Sequence, residues 1–230
     1  MAATVRAVTQ VASTSAGSLS AAAPAGTQVG DLLIAIHNAN KGDLASMTAP
    51  AAFTLNGSTT LVSQWPQFAQ VWLATRASAG AGPYPFAAPN AADGHSVVLI
   101  AVTGYDSTTP LAVGATWNSS ASVATAQVAP SVSPAVTGGL LLCGWSSDVF
   151  NNVVSYTTPP GMTTIANIEG SANYIATAAA SQSLASAGAT GTRTATCSRA
   201  SQYIAVSLVV ASAVVAPPPT DTSTFFPFFG

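Results

Sequence analysis

Gly30-Asp31-Leu32-Leu33-Ile34-Ala35 returns 108 residues later as Gly138-Gly139-Leu140-Leu141-Leu142-Cys143. Three further landmarks follow in the same order. Thr48-Ala49-Pro50-Ala51-Ala52-Phe53-Thr54 resembles Thr157-Thr158-Pro159-Pro160-Gly161-Met162-Thr163, and Ala77-Ser78-Ala79-Gly80-Ala81-Gly82 resembles Ala185-Ser186-Ala187-Gly188-Ala189-Thr190. Val97-Val98-Leu99-Ile100-Ala101-Val102 matches Tyr203-Ile204-Ala205-Val206-Ser207-Leu208. A small-residue bias imitates one such match, hardly four at near-constant spacing. The chain therefore reads as two copies of one unit.

Each copy reads as β. Leu32–Ile36 and Val97–Val102 are continuous apolar runs, which suit central strands covered on both faces. Further strands are expected at 4–11, 18–23, 31–37, 60–64, 69–75, 84–87 and 96–103. In the second copy they fall at 122–128, 139–145, 163–168, 173–180, 192–198 and 202–210. All are short and bounded by Gly, Pro, Asn and Ser clusters. Helix formers in Ala176–Leu184 are interrupted by Ser and Gln, without charged pairs. The expected fold is all-β, with two tandem, internally duplicated, jelly-roll-like β-sandwich units at 1–110 and 111–216 and an extended arm at 217–230. A single larger sandwich with pseudo-twofold symmetry is the alternative arrangement; two closely packed units is the favoured one.

Composition narrows the partners. Lys and Arg number 5, Asp and Glu 7, among 230 residues, while 49% of residues are hydrophobic. Charged residues are 5% of the chain, against about 25% in ordinary soluble domains. Arg6, Lys41, Arg76, Arg193 and Arg199 are scattered, which excludes nucleic-acid binding by phosphate neutralisation. Low net charge and high apolar content argue against charge-driven disorder. The longest apolar run, Tyr203 to Ala216, is short for a membrane span and reads as buried strand. The opening stretch lacks a basic region followed by an apolar one, so no signal peptide is expected. Two cysteines, Cys143 and Cys197, make no disulfide scaffold, and two buried thiols are the default.

Residues 217–230 differ from the rest. Pro217-Pro218-Pro219 forms a stiff extended spacer. A polar stretch follows, then Phe225-Phe226-Pro227-Phe228-Phe229-Gly230. Phe225, Phe226, Phe228 and Phe229 are the expected partner-binding residues, because a Phe cluster on an arm is a liability until something covers it.

Several stretches carry a resemblance. They are Gly-Asp-Leu-Leu at 30–33, Trp-Leu-Ala-Thr-Arg at 72–76, Val-Thr-Gly-Tyr-Asp-Ser-Thr-Thr-Pro at 102–110, Thr-Pro-Pro-Gly-Met-Thr at 158–163 and Gly-Ala-Thr-Gly-Thr-Arg-Thr-Ala-Thr at 188–196. They resemble the Ala/Gly/Ser/Thr-rich β-sandwich repeats of tailed-bacteriophage structural proteins and bacterial surface proteins, over nearly all of residues 1–216. The resemblance implies a virion location and a structural role, as a head decoration or minor tail protein. It brings no catalytic residues. The implied partners are other virion proteins and copies of the chain itself.

Catalysis finds little support. His37, His95, Asp31, Asp43, Asp93, Asp106, Asp148 and Glu169 are the acid/base candidates, and only Asp93-Gly94-His95 is a tight pairing. It reads as a turn before a strand. His37 to Asp43 reads as an Asx-rich turn rather than a calcium loop, since Lys41 opposes a cation. No cofactor and no metal are expected, and the chain is read as a non-enzyme. A hydrolase has no evident site. The alternative function is a carbohydrate-binding adhesion module facing a host glycan. Trp65 and Trp117 would be its surface platform, whereas Trp72 and Trp145 read as core.

Overall fold

The structure is a computed structural model that describes residues 1–15, 17–41, 43–88, 94–148, 153–169 and 175–213. The first half forms a sheet from β1 (Thr4–Ser13), β3 (Leu32–Asn40), β4 (Thr54–Leu61), β5 (Gln67–Thr75) and β7 (Gly94–Thr103), in the order β1-β7-β3-β5-β4. A small antiparallel pair, β2 (Ser18–Ala21) and β6 (Tyr84–Ala87), lies beside it. The second half uses β8 (Leu111–Ala129), β9 (Leu140–Asp148), β11 (Thr163–Ile168), β12 (Ile175–Ser183) and β13 (Arg193–Val210), in the order β8-β13-β9-β12-β11. The short β10 (Tyr156–Thr157) also pairs with β13.

The duplication extends to hydrogen-bond register. Leu32 faces Thr75 and Val102 in the first sheet; Leu140, 108 residues on, faces Ser183 and Val210 in the second. A register shift between Leu55 and Gly57 in β4 recurs between Thr164 and Ala166 in β11. The first half's separate pieces are fused in the second. β8 occupies the places of β1 and β2, and β13 those of β6 and β7: Ser18 pairs with Ala87, and Ala126 with Thr196.

The all-β class holds. The first half carries the five-stranded sheet and the β2–β6 pair, the second half one larger sheet, and the inner faces of the two large sheets share one apolar layer. Leu32, Ile34, Ile36, Val98, Ile100 and Val102 pack in the same cluster as Leu140, Leu142, Val206, Leu208 and Val210. Edge strands meet reciprocally, β1 against β11 and β4 against β8. The alternating residues Leu33, Ala35, Val97 and Leu99 point the other way, under Leu19, Tyr84 and Phe86 of the β2–β6 pair. In the second sheet Leu141, Cys143 and Trp145 lie beneath Ala195, Cys197 and Tyr156. Double coverage explains why β3 is buried at all nine positions and why these strands are apolar without alternation.

The inner faces fit by size. Ile36 and Gly144 are equivalent positions of the two copies and oppose each other across the sandwich. A Cβ on Gly144 would stand 3.1 Å from Ile36 Cδ1 and 3.1 Å from Val206 Cγ1. One large and one vanishing side chain fill a space that two Ile would overfill.

Some strand bounds differ from expectation. The strand placed at 60–64 is β4, Thr54–Leu61, since Asn56-Gly57 mark a bulge and not a turn. The segment before 122 belongs to β8, and Arg199 to Gln202 continue β13 without a break. Ala176–Ser183 is strand. Cys143 and Cys197 are free and buried.

Candidate functional site

The backbone brings together two histidines that lie far apart in the chain. β3 carries His37 and its neighbour β7 carries His95, and their rings meet with Nε2 of His37 3.4 Å from Nδ1 of His95. Phe86 stands edge-on to His37, with centroids 5.8 Å apart. His37 is 0% and His95 1% exposed. Burial pushes the His37 pKa down to about 3, helped by the adjacent His95, and burial pushes that of His95 down to about 4. Both rings are therefore neutral near pH 7, and one ring nitrogen donates to the other. His37 Nδ1 has no hydrogen-bond partner. This is a satisfied-by-half core pair, closed to substrate.

The reading of His37 to Asp43 as an Asx-rich turn is corrected. His37, Asn38 and Asn40 are buried in β3, and Asn40 Oδ1 accepts the Gly94 amide at 2.7 Å. Gly94 and His95 open strand β7 instead of forming a turn; Asp93 lies outside the described residues. At the same end, between the sheets, Ser96 Oγ and Thr177 Oγ are 2.7 Å apart and link the halves. Asn38 Nδ2, both Gln67 amide atoms and Ser146 Oγ are buried there without partners. No sequence signal marked this layer, because its members sit at the polar ends of otherwise apolar strands.

The second sheet holds a hydroxyl network on its outer face. Tyr156 OH is 2.6 Å from Ser147 Oγ and donates to Gln127 Oε1 at 2.8 Å, and Gln127 Nε2 donates to Ser147 and Ser201. Burial holds the Tyr156 phenol well above its ordinary pKa and pushes the Cys143 thiol up to about 11. Neither group supplies a nucleophile at neutral pH.

The carboxylates serve local structure. Asp31 accepts from Arg6 Nε at 2.8 Å and from the Gln28 amide at 2.7 Å. Asp43 caps the turn at Leu44–Ser46. Asp106 accepts the amides of Thr108 and Thr109. Asp148 ends β9, and Glu169 is exposed beyond β11. Among the described residues no three His, Cys, Asp or Glu side chains cluster to hold a metal. No described helix is long and apolar enough to cross a membrane.

The two tryptophans of the expected platform part company. Trp65, on the connection from β4 to β5, is 38% exposed, and Lys41 Nζ lies 5.6 Å from its ring centroid. Ser63 Oγ accepts the Trp65 amide at 3.1 Å and lies 2.8 Å from Gln202 Oε1 of β13. Trp117 is half-buried on β8 against Leu61, Ala69 and Ile204. Gly57 leaves room for it, since a Cβ there would come within 3.3 Å of the indole nitrogen. Trp145 is core and Trp72 half-buried against core. Phe225, Phe226, Phe228 and Phe229 lie outside the described residues.

Clefts of about 570 and 470 Å³ run between the edges of β1 and β11, lined by Thr, Ser, Gln and Asn with Val5, Val8 and Ile165. A third, of about 480 Å³, opens beside Ala211 and Ser212. No protein family, curated protein or solved structure matches the chain.

Proposed function

We propose that this chain is a non-enzymatic structural protein of a tailed-phage virion, decorating or cementing the head or tail. The observation that carries the reading is a combination: a charge-poor all-β body whose histidines and cysteines are buried, followed by a terminal sequence that holds four of the eight Phe residues. A neutral hydroxyl-rich surface resists association weakly, which suits a protein packed among neighbours. Each Phe buried at a partner contributes about 1.5–3 kcal/mol, so four offset a substantial ordering loss. The virion setting comes from the resemblance of the repeats. Particles assembled with a chain lacking residues 217–230 test the reading. Loss of the truncated chain from purified particles is expected; undiminished incorporation would contradict it.

Exposed Trp65 beside Lys41 supports a second reading, a carbohydrate-binding module on a virion or cell surface. The half-burial of Trp117 leaves Trp65 as the ring of that pair fit to stack on a sugar. Binding on a glycan array that disappears in Trp65→Ala would favour it over the assembly role.

A further inference from the structure

The root of the arm lies against the third cleft. Ala213, the last described residue, accepts the Met1 ammonium at 3.0 Å and donates its amide to the Gly104 carbonyl at 2.9 Å. Ser212 pairs with Tyr105 as an isolated bridge and donates to the Gly138 carbonyl. The chain is thereby pinned at this end of the sandwich up to residue 213. The neighbouring cleft has alkyl walls from Ala112, Ala135, Val136 and Ala211, with Thr109 and Asp106 among its polar lining. Val136 is 44% exposed, one of the large apolar side chains left open among the described residues. The Asp106 carboxylate is engaged by the amides of its own turn, so an uncharged occupant need not strip it of its partners.

We propose that this cleft receives Phe225–Phe229 of a second copy of the chain. The inference rests on the assembly reading and names the receiving surface for the arm. The match is chemical: an uncharged aromatic segment meets alkyl walls, in a cleft within the usual size range of binding sites. Reach favours the neighbour. The cleft touches Ala211 and Ser212, the residues from which the arm departs, so filling it from its own chain requires a reversal within residues 214–224. That stretch holds three consecutive prolines, whose fixed φ resists a tight reversal, and eleven residues span at most about 36 Å. Arm into cleft is a heterologous contact, so successive copies join head to tail, into a closed ring or an open row.

Two complementary variants test this by light scattering after size separation. The chain lacking residues 217–230 keeps the cleft and loses the arm; Val136→Asp keeps the arm and places a charge in the cleft. The intact chain is expected to self-associate with rising concentration. Each variant alone should remain a monomer with an unchanged circular dichroism spectrum, and Val136→Asp should weaken association at least tenfold. Mixed at equal amounts, the variants should form a two-chain complex that grows no further. Val136→Ile should associate like the intact chain. A mixture that stays monomeric, or Val136→Asp associating normally, would overturn the proposal. So would an intact monomer whose arm resists protease until Val136→Asp is introduced, because that arm would occupy its own cleft. Particle incorporation separates the two ideas. If removal of 217–230 blocks incorporation while Val136→Asp associates normally, the cleft is wrong and the arm's role stands. If neither variant affects incorporation, the assembly reading falls, whatever the association data give.

Discussion

The first and second sheets repeat each other on the side they share and diverge on the sides they do not. Across the shared layer, Leu32 and Leu140, and Ile34 and Leu142, are equivalent pairs in one cluster; strand register moves the Val97–Val102 match two residues on from the sequence alignment, so that Val98 answers to Val206 and Ile100 to Leu208. On the outer faces the equivalents differ in kind. Where the first sheet has His37 and His95 beneath Phe86, the second has Trp145 and Tyr203. Where the first pairs Arg6 with buried Asp31, the second has Gly139, on which a Cβ would come within 2.8 Å of Val209. A face that must mate with the other copy tolerates little change in volume. A face covered by its own half's strands can be repacked one sheet at a time. The Ile36–Gly144 pair is the exception on the inner face, where a twofold relation would bring two equal side chains together.

Breaking that comparison should have graded effects. Ile36→Ala leaves a cavity shared by both sheets, and a loss of about 2–5 kcal/mol is expected in denaturant unfolding. Acid should act on the whole unit through a histidine pair that only the first sheet carries. With folded pKa values of about 3 and about 4 against 6.5 unfolded, the unfolded chain binds more protons between those limits. Stability contributed by the neutral pair is then complete above about pH 6.5 and declines as pH falls toward 4. The slope approaches about 2.7 kcal/mol per pH unit for two protons. Replacing His37 by Leu should remove about half of that slope, as urea titrations from pH 7 to 4 would record; an unchanged slope would refute the pair's role. Gly144→Val should overpack the layer by about 1–3 kcal/mol. Combined with Ile36→Ala it should lose less than the two single losses added, a coupling visible in a double-mutant cycle. Arg6→Ala, which leaves the Asp31 carboxylate without its cation at a half-open edge, should cost about 1–3 kcal/mol. The same measurement at high salt should change it little, because Asp31 itself is buried.

The repeat, the all-β class and most strands were legible because turn residues and apolar runs are local signals. Two features were not. A strand buried on both faces has the same composition whether its cover comes from its own half or the other, so Leu32–Ile36 could not distinguish one sandwich from two. The His37–His95 contact depends on pairing β3 with β7, and nothing local announces it. For function, the charge poverty and the aromatic arm were plain in the sequence. Trp117 packs partly against Ile204 of β13, a contact between distant strands that its neighbour Asn118 does not announce.

The central claim is that two homologous sheets make one folding unit. Equilibrium unfolding of the intact chain and of Ile36→Ala, followed by both far-ultraviolet circular dichroism and tryptophan fluorescence, tests it most directly. The expected result is one transition, coincident in both signals, that Ile36→Ala moves as a whole to lower denaturant. Two separable transitions, of which the substitution displaces only one, would contradict the account.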